Sequence, residues 1–403
     1  MDKKKKLIMW AIFVISFAQT PQSAISPAIN QIKTTAFPGY ELSFIQMILV
    51  LSSLVSPFFF IISAELIRRG IVARRTAISF GMATFGLVGI LSFFLNSQLW
   101  HVMLMAVLVG IGVGCCIANN TSVILDYFNM EERQRITGIQ TVFINAGGAV
   151  FSFVGGLLAS IVWHGAYKVM LLCIPIAVFA YIALPGGKRP RIKKTSSAEK
   201  VKSKMNKRIY FYAAAIFLFM FIFSVFGGNI STHLSQSGFA DPKFAGTATA
   251  IQMAGGGVFG VIFSKLSKKF NDYLIPIGFT MICVSYTAMN IFHFSLYLIY
   301  FGAFLLGCAF SMIAPQCIVG ASGCVDASTS STGSAIVSGF VPSIGGFLSP
   351  LIITNLTRHI GGDSTRFRYQ AVGLFALTVA CVMAAFVFKR TRGGMEAKTV
   401  SIS

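Results

Sequence analysis

Nine carboxamide side chains stand inside stretches that are otherwise apolar: Gln19, Gln22, Gln46, Asn119, Asn120, Asn145, Asn229, Gln252 and Gln316. Carboxamides donate and accept hydrogen bonds but do not titrate, so a set like this binds neutral or dipolar groups rather than moving protons. Gln19, Gln22 and Ser26 are spaced i, i+3 and i+7, which places them on one helix face. In an apolar medium each amide needs a partner, either a neighbouring helix or a solute. An interhelical hydrogen bond is worth roughly 0.6–2 kcal/mol and is the plain alternative to substrate contact at each position.

Groups that could do more than bind are missing from the apolar runs. None of the 12 Asp and Glu residues falls near the middle of a run. A proton carrier inside a bilayer is normally an Asp, Glu or His held there at a cost of about 2.5–3.5 kcal/mol or more. The five histidines (His101, His164, His233, His293, His359) fall near run ends. This argues against a deep carboxylate relay and leaves either peripheral groups such as His233 or Glu41 for proton coupling, or a uniporter or exchanger without it. No Ser/His/Asp, Cys/His or paired-carboxylate arrangement points to an enzyme. The eight cysteines show no CxxC or metal-ligand spacing and read as small packing residues. Glycine runs such as Gly110-x-Gly112-x-Gly114, Gly147-Gly148, Gly155-Gly156 and Gly255–Gly257 lack the strand and the Lys-Ser/Thr of a phosphate loop. They are expected to let helices pack closely, and no cofactor is called for.

Long apolar helices must position the amides. Of the 403 residues, 55% are hydrophobic and 11% charged, with a mean hydropathy of +0.76. That composition marks an all-α polytopic membrane protein. A helix crosses a bilayer in about 20 residues. Twelve spans are expected, at 7–29, 41–64, 74–95, 99–122, 136–161, 166–184, 209–234, 243–264, 273–294, 296–322, 331–355 and 367–388. Lys3–Lys6 before an apolar run ending in Ser16-Phe17-Ala18 has the outline of a signal peptide. Its removal would leave an odd number of spans, so it is expected to stay.

The net charge of +21 does not imply a nucleic-acid partner. With twelve spans, 27 of the 33 Lys and Arg residues fall on one side. By the positive-inside rule both termini are cytoplasmic, in a cell membrane. Arg358, Arg366 and Arg368 form the basic cluster of the other side and are expected to snorkel at the interface.

The halves of the chain resemble each other. Ile45-Gln46-Met47 is repeated as Ile251-Gln252-Met253, at an offset of 206. Gly110 and Asn119 match Gly307 and Gln316 at an offset of 197. Asp126–Gly148, with Thr137-Gly138 inside it, has an uncharged counterpart in Ser331–Gly346, with Thr332-Gly333. The pairing raises Gln46 with Gln252, and Asn119 with Gln316, as substrate contacts. The expected organisation is a bundle over 1–184, a charged linker over 185–208, a second bundle over 209–389 and a tail over 390–403.

Six helices, a basic loop and six more resemble the major facilitator superfamily along the whole chain. The loop after the second helix, Ala64-Glu65-Leu66-Ile67-Arg68-Arg69-Gly70 to Arg74-Arg75, is similar to that family's basic loop, with no Asp at its usual place. Ser264–Lys269 is a reduced second copy, and Glu131–Arg135 is similar to the acidic-then-Arg loop after helix four. The resemblance implies alternating access between two six-helix bundles, with helices 1, 2, 4, 5, 7, 8, 10 and 11 lining a central cavity. All nine amides lie on those helices. It also implies gating charges at the inner surface: Glu65, Arg74, Arg75, Asp126, Arg133 and Arg135. Asp126 is placed to pair with Arg74, Arg75 or Arg135 when that side closes.

The expected function is secondary transport of a small organic solute through an uncharged polar cavity, by a monomer in the lipid bilayer. Proton-coupled efflux of hydrophobic compounds and a sensor without transport are the alternatives.

Overall fold

Where an apolar run is uninterrupted it is helical, and where it breaks a particular residue is responsible. The structure, a computed structural model, describes residues 3–186, 208–322, 324 and 339–400. The helices are α1 (Lys3–Phe17), α2 (Leu42–Arg68), α3 (Arg74–Leu91), α4 (Leu99–Tyr127), α5 (Met130–Ile161) and α6 (Cys173–Ala183). They are followed by α7 (Arg208–Gln236), α8 (Pro242–Phe270), α9 (Leu274–Ile291), α10 (Leu296–Ser322), α11 (Val341–Ser349) and α12 (Thr365–Val400). A π-helical turn, Pro350–Thr354, and a short helix, Asn355–Gly361, continue α11. Among the described residues nine stretches are long and apolar enough to cross a membrane, one of which, Pro242–Ile291, holds both α8 and α9. The linker beyond Gly186 and positions 331–338, with Thr332-Gly333, lie outside the described residues.

One break inside an apolar run and one junction between two runs are each shaped by identifiable residues. Thr20 precedes Pro21, whose ring excludes the helical conformation at the residue before it, and Thr20 sits at φ −120°, ψ 51°. Therefore α1 stops at Phe17, and the chain continues as the 3₁₀ turns Pro21–Ala24 and Ser26–Ala28. Gln19, Gln22 and Ser26 do not form the continuous α-helical stripe their spacing suggests. The loop after α4, in contrast, winds into α5. Asn129 accepts from the Glu132 backbone N–H while the Glu132 carboxylate accepts from the Asn129 N–H, closing a capping box.

The buried apolar residues fall into two clusters, one drawn from Ile8 to Leu184 and the other from Ile209 to Met383. Within them the repeat is visible as helix contacts. Gly147 of α5 lies directly against the Phe17 carbonyl of α1, and Gly345 of α11 lies against the Phe217 carbonyl of α7. Gly110 and Gly307 likewise let α4 and α10 approach the Ser52 and Gln252 carbonyls of α2 and α8.

The clusters meet along α5 and α8, where glycines again set the distance. A methyl group added at Gly156 would stand 2.9 Å from the Pro242 carbonyl oxygen, and one at Gly246 would stand 2.7 Å from the Ser152 carbonyl oxygen. The Ser152 hydroxyl donates to the Gly246 carbonyl at 3.2 Å. No side chain fits that gap without moving one half. Gly246→Leu is expected to lower the melting temperature of the purified protein by an overpacking cost of about 1–3 kcal/mol. Gly138→Ala, which points into open space, should leave it unchanged or raise it slightly.

Candidate functional site

The interruption of α1 lies halfway along the 34-residue stretch Lys3–Ala36. It gathers polar atoms that the described residues do not satisfy. Gln19 Nε2, Thr20 Oγ1 and Gln22 Oε1 are buried and have no hydrogen-bond partner among the described residues. Gly148 of α5 and Met253 of α8 adjoin this point, since a methyl group at Gly148 would stand 2.9 Å from Thr20 Oγ1 and 3.3 Å from the Met253 sulfur. The site therefore has walls from both halves. Gln252, one residue from Met253, is buried and makes no described side-chain hydrogen bond. Buried polar atoms without partners cost about 1–3 kcal/mol each, and a break in a membrane helix is where solute groups are met by transporters generally.

One end of the molecule carries the α2–α3 turn with Arg68, Arg69, Arg74 and Arg75; this is the basic face, and the opposite end is the far face. Toward the far face the halves are tied by hydrogen bonds. Ser26 Oγ donates to the Gly227 carbonyl at 2.7 Å, and Ser231 Oγ donates to the Pro27 carbonyl at 2.7 Å. Gln46 of α2 uses its whole amide on the second half. Its Nε2 donates to the Gly228 carbonyl and to Asn229 Oδ1, both at 2.9 Å, and its Oε1 accepts from Thr354 Oγ1 at 2.7 Å. At the rim Glu41 pairs with Arg358 at 2.8 Å, and the Ser160 hydroxyl donates to Asp241. Although partial burial pushes the Asp241 carboxyl the other way, Ser160 and Lys243 hold it below its ordinary value, so it stays ionised at neutral pH.

The ion pairs described on the basic face join groups of the same half. Glu65 binds Arg68 at 2.6 Å and Arg69 at 2.7 Å, Arg74 binds Asp126 and the Ser122 carbonyl, and Arg390 binds Asp272 at 2.7 Å. Asp126 thus takes Arg74 as its partner within one bundle. Arg75 stacks over the Tyr181 ring at 4.6 Å, Arg133 Nε donates to the Phe128 carbonyl at 2.7 Å, and Arg135 is exposed.

The remaining amides divide. Asn119 Nδ2 donates to Ser63 Oγ and the Cys115 carbonyl, and Asn120 Nδ2 donates to Ser16 Oγ and the Ile12 carbonyl. Gln316 accepts from Ser267 and donates to Asp272. All three link helices within one half. Asn119 and Gln316, matched by sequence, each bond a serine of the neighbouring helix, Ser63 on α2 and Ser267 on α8. Asn145 donates to the Thr141 carbonyl, and its Oδ1 faces Gly256 of α8.

Arg368 was expected at the interface, and the structure corrects this. It is 0% exposed, because the first turn of α12 aims it inward at α7 and the segment after α11. Its Nε donates to Thr357 Oγ1 at 3.0 Å and its Nη1 to Asn229 Oδ1 at 2.5 Å. His233 is also 0% exposed rather than peripheral, with Nδ1 3.0 Å from Thr365 Oγ1 and Nε2 3.2 Å from the Met289 carbonyl. Thr20, Thr354 and Thr357 were missed because lone threonines in apolar runs carry no pattern. Pro21 beside Thr20 was the available signal.

The family model of the Major Facilitator Superfamily matches residues 8–350. The chain belongs to the major facilitator superfamily. A probable nitrate transporter, NarT, of Staphylococcus epidermidis is 24% identical over 284 residues, covering 68% of this chain and 70% of that protein. The POT family transporter PepTSo superposes with a TM-score of 0.74 at 12% identity, over 96% of this chain and 98% of the other. A D-xylose–proton symporter gives 0.71 at 16% identity, over 94% and 97%. The nucleoside transporter NupG gives 0.71 at 12%, over 95% and 98%. The protein is therefore a secondary transporter working by alternating access, not an enzyme.

If Gln46 ties the far face shut, removing its amide should loosen that face. In Gln46→Leu, a cysteine placed at the fully buried Ala28 should react several-fold faster with a water-soluble maleimide than in the parent. Equal rates would show that the bonds of Gln46 do not govern closure.

Proposed function

We propose that a small polar solute binds at the α1 break, between Gln19, Thr20 and Gln22 of the first half and Gln252 of the second. Gln46 and Asn229 close over it from the far face. The observation that carries this reading is the set of buried, unpartnered polar atoms at Gln19, Thr20 and Gln22. Asn145, between this point and the basic face, lines the approach. Asn119, Asn120 and Gln316 stiffen their own halves. The rocking bodies are 1–184 and 209–389, joined by the linker 185–208, and the transporter acts as a monomer in the cell membrane.

The charge bias makes the basic face and both termini cytoplasmic. With the far face tied by hydrogen bonds between the halves and every basic-face ion pair among the described residues made within a half, the conformation reads as inward-open. The within-half pairs, Arg74 with Asp126 among them, brace the helix ends that must part and meet again. Similarity to a probable nitrate transporter supports testing small anions alongside neutral polar solutes as substrates.

Thermal unfolding against a panel of polar metabolites, small anions and lipophilic cations tests this reading, because a ligand of the folded state raises stability by RT ln(1 + [L]/Kd). A polar solute or small anion should raise the melting temperature, and Gln19→Ala and Gln252→Ala should abolish the shift. Shifts confined to lipophilic cations and untouched by those substitutions would contradict it and favour efflux of hydrophobic compounds.

A further inference from the structure

Arg368 is a full positive charge in the protein interior whose described partners are all neutral. Thr357 and Asn229 take Nε and Nη1, while Nη2 is buried with no partner among the described residues. The nearby acids are engaged elsewhere: Asp363 is exposed and pairs with Arg358 at 3.3 Å, and Glu41 also pairs with Arg358. A buried charge lacking a counter-ion is costly, and side chains that keep one inside a membrane protein mark solute or ion pathways.

The neighbouring bonds fix how this guanidinium is presented. Thr357 Oγ1 donates to the Ile353 carbonyl at 2.6 Å, leaving its oxygen lone pair for Arg368 Nε. Asn229 Nδ2 donates to the Val225 carbonyl at 2.8 Å, which turns Oδ1 toward Arg368. The same Oδ1 accepts from Gln46, so the first half covers the guanidinium through one amide. When the halves part on the far face, Gln46 leaves with the first half and Asn229 and Arg368 remain on the second.

We propose that Arg368, presented by Asn229 and Thr357, anchors a planar oxoanion of the solute, a carboxylate group or a nitrate-like ion, when the far face opens. Nη1 and Nη2 supply the two parallel donors that such an anion accepts in bidentate fashion. Nη1 exchanges its amide acceptor for one anion oxygen, and the unpartnered Nη2 takes the other. Closure then returns Gln46 over the bound anion. The inference rests on the transport reading above and adds a charge requirement to it.

The test measures melting-temperature shifts of the purified protein in sodium acetate and sodium nitrate, with sodium chloride at equal ionic strength as reference. Acetate or nitrate should stabilise the parent beyond chloride. Arg368→Gln should weaken apparent affinity by about thirtyfold or more, as expected for loss of a buried charged donor. Arg368→Lys, which keeps the charge but not the fork, should retain part of it and controls for folding. Asn229→Ala, which keeps the guanidinium, should weaken binding less than Arg368→Gln. Gln46→Leu, which uncovers the anchor, should tighten binding. Equal shifts in chloride, or a shift that survives Arg368→Gln, would overturn the anchor. A shift lost in Arg368→Gln but indifferent to Gln46→Leu would uphold the anchor and overturn its place on the transport path.

Discussion

Gln46 holds both ends of its amide against the other half of the molecule, and much of the conformation depends on that. Inside an apolar body no water stands ready to replace a lost partner, so a polar group that crosses between halves commits them to one arrangement. Its donors reach Gly228 and Asn229, and its acceptor takes Thr354. Ser26 and Ser231 add bonds to backbone carbonyls between the interrupted end of α1 and α7. These bonds are several and individually weak, which is what a closure that must reopen requires.

Opening needs rigid bodies on either side, and the packing supplies them. The hydrogen bonds of Asn119, Asn120 and Gln316 fall within a half, and the described ion pairs of Glu65, Asp126 and Asp272 do the same near the basic face. Glycine contacts repeated between Gly147 and Gly345, and between Gly110 and Gly307, bring equivalent helices together in both halves. The α5–α8 seam, closed at Gly156 and Gly246, lets backbones touch without interlocking side chains. Contacts that shallow suit rocking more than a knobs-into-holes seam would.

Much of this was legible in the sequence, because bilayer thickness and backbone hydrogen bonding leave few choices for long apolar runs. Helix order, the pairing of the two halves and the packing role of the glycines come from hydropathy, charge placement and short matched motifs. What escaped depends on rotation about a helix axis. Arg368 lies among Arg358 and Arg366 in sequence, yet its own direction on the first turn of α12 buries it beside Asn229. Gln19, Gln22 and Ser26 suggest a stripe, but Pro21 breaks the helix that would have aligned them. His233 stands near a helix end and is nevertheless enclosed by Thr365 and Met289. The partner of an amide, a neighbouring helix or a solute, is likewise decided by tertiary contact, which divides Asn119 and Gln316 from Gln19 and Gln22.

Alternating access requires that the two faces open in opposition. The direct measurement is of spin-label distances in lipid nanodiscs, from a far-face pair at Thr34 and Ala240 and a basic-face pair at Thr121 and Ile318, with and without a solute that stabilises the protein. The account predicts two populations in which a short far-face distance accompanies a long basic-face distance, and the reverse, with the solute shifting their ratio. A single far-face distance under every condition, or two distances that lengthen together, would contradict it.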